Sequence, residues 1–462
     1  MIDLSTLPVN ISRKKISVLG ARRSGIAIAQ LLAQNGADVL LSDAGYIRFT
    51  APQIQIFQSL NVKTEFGKHS DIILRSDLVV ISPGIPATVP IIKRIEAAGI
   101  PIVSEIEAAY WFMPDARLIA ITGSNGKTTT TTLIYEMFKD SQYDAYCGGN
   151  IGVPFSLLIP QALEDTGKSK VFILELSSFQ LERIIHFHPD VAIILNVTDD
   201  HMDRYDHDIN LYLKAKLNIS LNQTANDLFI YFSDDTLLSG NLPSFPQKRP
   251  FGLSDTPDMQ FKTDIDSIIT KDCRKFIDRK NIKLLGEHNL LNILAVLNVT
   301  EHFSISKDHI IEVLKHFSGI EHRLEYVGTI NGVDYFNDSK ATNVESVKYA
   351  LKSFARPVII ILGGRDKDSD FSILLPYLKK HVKHVLLIGE AAVKIESVIH
   401  NVIDCSHSDS MQSAVNHANR IAQNGDIVLL APACASFDMF DNYEHRGKVF
   451  KNVVSSLSGS QK

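Results

Sequence analysis

Cysteine is scarce in this chain, and the few that occur are scattered. Cys147, Cys273, Cys405 and Cys434 stand far apart with no CxxC pair, which leaves no disulfide framework and no cysteine-based zinc site to expect. An excess of charge is also missing. A net charge of −5 over 462 residues argues against a nucleic-acid binder, which is usually basic. No apolar run approaches a membrane span, and the opening Met1-Ile-Asp-Leu-Ser-Thr-Leu-Pro8 lacks the apolar region of a secretory signal. The expectation is a cytoplasmic protein without membrane insertion. There is no internal repeat and no low-complexity tract. The remainder is ordinary globular material, 45% apolar and 21% charged, with length for about three domains.

Against that background one stretch stands out. Thr122-Gly-Ser-Asn-Gly-Lys-Thr-Thr-Thr-Thr-Thr132 follows the apolar run Arg117-Leu-Ile-Ala-Ile121 and leads into Leu133-Ile-Tyr-Glu-Met-Phe138. Strand, glycine turn and helix start are the context of a phosphate-binding loop. Gly123 and Gly126 let the backbone bend so that successive N–H groups, Ser124 and Asn125 among them, line one cavity at a helix N-terminus. Lys127 reaches the outer phosphates, and the hydroxyl of Thr128, followed by Thr129, is placed for Mg²⁺. The ligand this predicts is a nucleoside triphosphate.

The first ~110 residues alternate strand and helix patterns. Lys15–Leu19, Ala37–Ser42 and Leu78–Ile81 read as strands and Ile26–Ala33 as a helix, which implies a parallel sheet with crossover helices. The first turn, Gly20-Ala-Arg-Arg-Ser-Gly25, has Arg22 where a dinucleotide fingerprint wants its second glycine. That disfavours NAD or FAD, although Asp43 falls about twenty residues further on, where an acid meets a ribose or base. A middle region from about Trp111 to Phe317 adds strands at Val171–Leu174, Val191–Leu195 and Leu228–Phe232, then a proline-rich polar segment near 240–280. A third block from about Gly319 holds strand candidates at Val358–Leu362, Val385–Ile388 and Ile427–Leu430. The loops 363–367 and 431–436 follow two of these strands, which makes them site candidates.

Several chemically loaded residues sit at these strand ends. Glu175 reads equally as a Mg²⁺ anchor or as a surface glutamate. The loop Asn196-Val-Thr-Asp-Asp-His-Met-Asp-Arg-Tyr205 crowds acids around His201, pointing that histidine to metal or substrate. Lys216, on its local pattern alone, reads as a solvated lysine on an amphipathic helix. The asparagines of Gly286–Asn292 could read a base edge or cap the helix, and capping suits Asn289 better. The groups of Glu321-His-Arg323 and Asn337-Asp-Ser-Lys-Ala-Thr-Asn343 suit nucleotide and carboxylate recognition or an ion-pair network.

Taken in order, Gly123–Thr129, Gly148-Gly-Asn-Ile-Gly152, Glu175-Leu-Ser-Ser-Phe-Gln180, Asp200–Tyr205, His288-Asn289 with Asn292, Glu321–Arg323, Asn337–Asn343, Ala431-Pro-Ala-Cys-Ala-Ser436 and Asn442-Tyr-Glu-His-Arg-Gly447 resemble the Mur ligase superfamily of cell-wall amino-acid-adding enzymes. Within it the likeness is to the branch that adds D-glutamate to UDP-N-acetylmuramoyl-L-alanine. The resemblance implies a three-domain α/β fold. Its parts would be a Rossmann-like UDP-binding domain at 1–110, a central phosphate-loop ATPase-type domain at 111–318 and a C-terminal Rossmann-like domain at 319–462. It implies ATP and two Mg²⁺ ions, a monomer, and catalytic roles for Lys127, His201 and Lys216. Thr128, Glu175, His201 and a carbamylated Lys216 would hold metal. Gly123 to Thr129 with Asn292, Arg323, Asp338 and Lys340 would bind ATP. Asp43, Ser82, Gly84 and Asn150 would face the UDP-muramoyl substrate, and Thr342, Lys367, Ser436 and Tyr443 the incoming D-glutamate. The nearest alternative is another Mur or folylpolyglutamate-type ligase. A nucleotide switch without chemistry has no use for the acid-rich loop, and Arg22 speaks against a nicotinamide oxidoreductase.

Overall fold

Strands whose residues are apolar nearly throughout are buried on both faces, which in a single chain means parallel sheets covered by crossover helices. The computed structural model describes residues 2–459 except 166 and 285, and of Asp203, Ser458 and Gly459 only the backbone. The first sheet comprises β1 (Lys15–Leu19), β2 (Asp38–Asp43), β3 (Lys63–Phe66), β4 (Leu78–Ile81) and β5 (Ile102–Ser104). Its order is β3-β2-β1-β4-β5, with β1 parallel to both β2 and β4. The second holds β6 (Arg117–Thr122), β7 (Tyr143–Gly149), β8 (Ser169–Glu175), β9 (Val191–Ile194), β10 (Leu228–Phe232) and β11 (Gln247–Phe251), in the order β11-β10-β9-β6-β8-β7. Pro250 lies in β11, where an edge strand tolerates the missing N–H.

The proline-rich segment forms the short strands β12 (Phe261–Thr263), β13 (Ser267–Thr270) and β14 (Lys275–Asp278) in a small sheet. The last sheet contains β15 (Glu325–Ile330), β16 (Val333–Asn337), β17 (Val358–Gly363), β18 (Val382–Ile388), β19 (Cys405–His407) and β20 (Ile427–Leu430). They run in the order β15-β16-β20-β17-β18-β19, parallel except for the β15–β16 hairpin.

The chain divides into two compact units, one of residues 1–277 with 293–310 and one of 278–292 with 311–462. In the first unit, one cluster of buried side chains runs from Ile16 and Val18 through Trp111 to Phe172 and Ile194, and another lies on the opposite face of the first sheet around Leu40 and Val79. The helix Arg23–Gln34 packs on Phe155–Glu164 and Glu105–Tyr110, so the first two sheets share one core. In the second unit, two clusters lie on opposite faces of the last sheet, one around Ile360 and Leu429 and one around Ile359 and Val428, as alternation along a strand requires. No described helix is long and apolar enough to cross a membrane.

Candidate active site

In the first unit the site grows from the carboxyl ends of β6, β8 and β9, which lie side by side. β6 ends at Thr122, and the helix Lys127–Phe138 begins after Gly126 in the left-handed region at φ +87. That conformation suits glycine and costs other residues. The Lys127 ammonium donates to the carbonyls of Gly123 (2.7 Å) and Ser124 (2.9 Å), so it lies across the loop. Thr128 and Thr129 are buried in the first turn of the helix. Ser124 Oγ donates to Thr198 O and accepts the Thr198 N–H, both at 2.9 Å.

Glu175 closes β8 and is buried. Its Oε1 accepts from Asn150 Nδ2 at 3.1 Å, and its Oε2 is buried with no hydrogen-bond partner among the described residues. A buried carboxylate oxygen without a donor is costly, and a metal ion relieves that cost. His201 has φ +56. Its Nε2 lies 3.7 Å from Asp200 Oδ2 and its ring meets Phe179 edge-on at 5.0 Å. The carboxylate of Asp203, in the same loop, lies outside the described residues. A cavity of about 700 Å³ joins His201, Phe179, Arg204 and Lys214 to Pro86 and Thr88.

Lys216 departs most from its local sequence pattern. It is 1% exposed rather than solvated, because the helix Ile209–Leu217 turns this face inward, with the ammonium 4.2 Å from the Tyr212 ring. Burial, reinforced by the charge of Lys127, holds its pKa well below the ordinary lysine value. The side chain is therefore biased toward the neutral amine.

At the carboxyl end of β1, a Cβ on Gly25 would lie 1.7 Å from Gly20 O, so only glycine fits where helix and strand meet. Asp43 braces this turn, its Oδ2 accepting from Ala21 N (2.7 Å) and its Oδ1 from Gly45 N (2.8 Å). Ser82 Oγ donates to Gly20 O at 3.2 Å. Gly84 is exposed beyond it.

The second unit gathers another set. Asp338, which follows β16, is buried, and burial raises its pKa to about 6 against the opposing charge of Arg323. Its Oδ1 accepts the Leu324 N–H at 3.2 Å. The Lys340 ammonium lies 5.7 Å from the Tyr443 ring, and Thr342 N–H donates to Lys340 O. Ser436 is buried beyond β20, while Lys367 is exposed beyond β17. Asn292 is buried and donates to Asn289 Oδ1 at 3.2 Å. Asn289 is the third residue of the helix Glu287–His302 and is buried. A cavity of about 470 Å³ brings Asn289 and Arg323 together with Lys283, Glu321, Tyr326 and Phe336.

Sequence reasoning gave no role to Arg446, which is fully buried. It donates to Ser339 Oγ and O and to the carbonyls of Cys434 and Ala435, tying the loops after β16 and β20 together. Nor did it assign His322, whose Nδ1 lies 2.8 Å from Asn337 Nδ2. A charged residue in a polar stretch carries no local sign that it will be buried.

Largely parallel sheets with polar loops at their carboxyl ends, and a glycine-rich strand-to-helix turn on the strand next to a buried carboxylate, have the form of a phosphate-loop α/β enzyme. Residues 14–104 match the Mur ligase MurD-like N-terminal domain, 121–300 the Mur ligase middle domain and 322–434 the Mur ligase glutamate ligase domain. A UDP-N-acetylmuramoylalanine--D-glutamate ligase from Christiangramia forsetii is 41% identical over 451 residues, covering 96% of this chain and all of that protein. Among solved structures, the UDP-N-acetylmuramate-alanine ligase MurC from Thermotoga maritima superposes with a TM-score of 0.59 at 19% identity, over 97% of this chain and 100% of that one. The Thermotoga maritima MurF ligase in complex with ADP gives 0.56 at 16%, over 96% of both. The chain belongs to the Mur ligase family.

Proposed function

We propose that the chain is an ATP-dependent ligase joining D-glutamate to the alanyl carboxylate of UDP-N-acetylmuramoyl-L-alanine, in peptidoglycan precursor synthesis. The choice of substrates rests on the relative named for that reaction, alike over nearly the whole chain. The chemistry rests on one observation: the loop carrying Lys127 follows β6, the half-unpartnered Glu175 carboxylate ends the neighbouring strand β8, and buried Lys216 feels the charge of Lys127.

The alanyl carboxylate attacks the γ-phosphorus of ATP, and the bond to the β-phosphate oxygen breaks to release ADP. The D-glutamate amine then attacks the acyl phosphate, loses a proton, and expels phosphate as the amide forms. Lys127 leaves the Gly123 and Ser124 carbonyls for the phosphates and offsets charge in the transferring group. The N–H groups at the start of the helix Lys127–Phe138 receive phosphate oxygens. Thr128, Glu175, His201 and Lys216 as its carbamate are the residues that would hold Mg²⁺, two ions in this reading, and the metal supplies charge neutralisation to the phosphates. Asn292, Arg323, Asp338 and Lys340 serve the nucleotide. Lys367, Ser436, Thr342 and Tyr443 serve the D-glutamate carboxylates. Asp43, Ser82, Gly84 and Asn150 serve the UDP-linked substrate. The division at 1–110, 111–318 and 319–462 draws on the separate sheets and the three family matches, although the first two parts share one core and residues 278–292 group with the third. ATP and a UDP-linked precursor suit a cytoplasmic enzyme, and the family resemblance points to a monomer.

The test is ADP release with UDP-N-acetylmuramoyl-L-alanine and a panel of amino acids. D-glutamate supports turnover, and Lys127→Ala abolishes it without unfolding the protein. Turnover with another amino acid in preference, or an active Lys127→Ala enzyme, overturns the reading.

A further inference from the structure

We infer that Asn196 is a positioning residue for the phosphate loop, setting the direction of two consecutive peptide planes; the inference rests on the ATP-dependent reading above. Asn196 lies two residues beyond the end of β9. Its Oδ1 accepts the Asn125 N–H at 2.8 Å and its Nδ2 donates to the Asn125 carbonyl at 3.1 Å. Its own carbonyl accepts the Ser124 N–H at 3.0 Å. One carboxamide thus holds both main-chain groups of the middle residue in the loop.

The consequence follows from the planar trans peptide, whose N–H and C=O point opposite ways. With the Asn125 N–H held by Asn196, the Ser124 carbonyl of the same peptide faces away, and there it receives the Lys127 ammonium at 2.9 Å. With the Asn125 carbonyl held by Asn196, the Gly126 N–H of the next peptide faces away from Asn196, on the side where a phosphate loop needs its donors. Asn196 therefore places the Lys127 ammonium and aims the Gly126 N–H together. Neither alanine, with no polar atom, nor aspartate, which accepts but does not donate when ionised, reproduces both bonds. The adjoining chain is also held, since Val197 N–H donates to Asp235 Oδ2 at 2.9 Å and Thr198 bonds Ser124 Oγ twice. Loss of the carboxamide alone therefore leaves the segment anchored.

The experiment measures ADP, ATP and UDP-N-acetylmuramoyl-L-alanine binding by calorimetry for the full chain and for Asn196→Ala and Asn196→Asp. Amide hydrogen exchange and the melting temperature are followed in parallel. Both variants bind ADP and ATP about tenfold more weakly, the scale of losing one or two hydrogen bonds. They bind the UDP-linked substrate as the unaltered protein does, melt within a few degrees of it, and exchange faster only at peptides covering 122–128. Unchanged nucleotide affinity in both variants overturns the inference. So does an equal loss of both ligands with a lower melting temperature, the mark of a purely structural role. Failure of the unaltered protein to bind nucleotide or to ligate overturns the underlying reading instead.

Discussion

Lys216 shows how far one residue's surroundings can depart from its neighbours in sequence. The run Leu213-Lys-Ala-Lys-Leu217 places two lysines on one helix; Lys214 is exposed and Lys216 is buried beside Tyr212. A buried ammonium is costly, so the pKa falls and the neutral amine becomes available to carbon dioxide. We expect a carbamate there, an anionic oxygen pair of the kind Mg²⁺ prefers. Intact-mass measurement under carbon-dioxide-replete conditions should show the added mass. Lys216→Ala should lose activity and recover part of it with a short-chain carboxylate. A plain lysine together with an active alanine variant refutes the modification.

Among the elements, the short helix Glu105–Tyr110 joins the first sheet to the second and is pinned at several points. Ser104 Oγ caps it by accepting the Glu107 N–H. The Glu107 carboxylate accepts from Trp111 Nε1 and from the N–H groups of Ile185, His186 and Phe187. Glu105 is buried against Gln180 Nε2 at 2.8 Å, and burial raises its pKa to about 7 from 4.5. The folded protein thus keeps Glu105 protonated over a range where the unfolded chain has already released the proton. Stability falls as pH rises from about 4.5 to about 7 and is flat beyond. Glu105→Gln keeps an acceptor for Gln180 and removes the titration. Relative to the parent, its stability should rise by roughly 1–3 kcal/mol between pH 5 and pH 8. Melting curves at the two pH values decide this, and an equal difference at both would refute it.

At the scale of the whole molecule, the first two sheets use the same parallel architecture with different turn chemistry. After β1 the turn carries Arg22 and Arg23, and the Arg23 guanidinium donates to Gly152 O. After β6 the turn carries Gly123 and Gly126 with Lys127. The first turn lacks the glycine that brings backbone close to a pyrophosphate, so the chain should bind UDP-N-acetylmuramoyl-L-alanine and not NAD. Calorimetric titration of the full chain with each ligand checks this; tight NAD binding would count against the assignment of the first sheet.

The strands and the phosphate loop were legible because their determinants are local. Runs such as Val358–Leu362 and Ile427–Leu430 have the apolar continuity that only doubly buried strands need, and Gly123 to Thr128 act through the backbone of one turn. The resemblance in ordered motifs named the family, and the full-length relative bears it out. Other features depend on partners distant in sequence. Lys216 is buried by a helix face, Asn289 points inward from the helix Glu287–His302, and Arg446 bonds Ser339, 107 positions away. Asn196 meets Asn125 because β9 pairs with β6. The one-dimensional chain determines which backbone can turn, pair or coil. Whether a polar side chain ends in water or among other groups is decided when distant strands come together, because desolvation depends on everything around the atom at once.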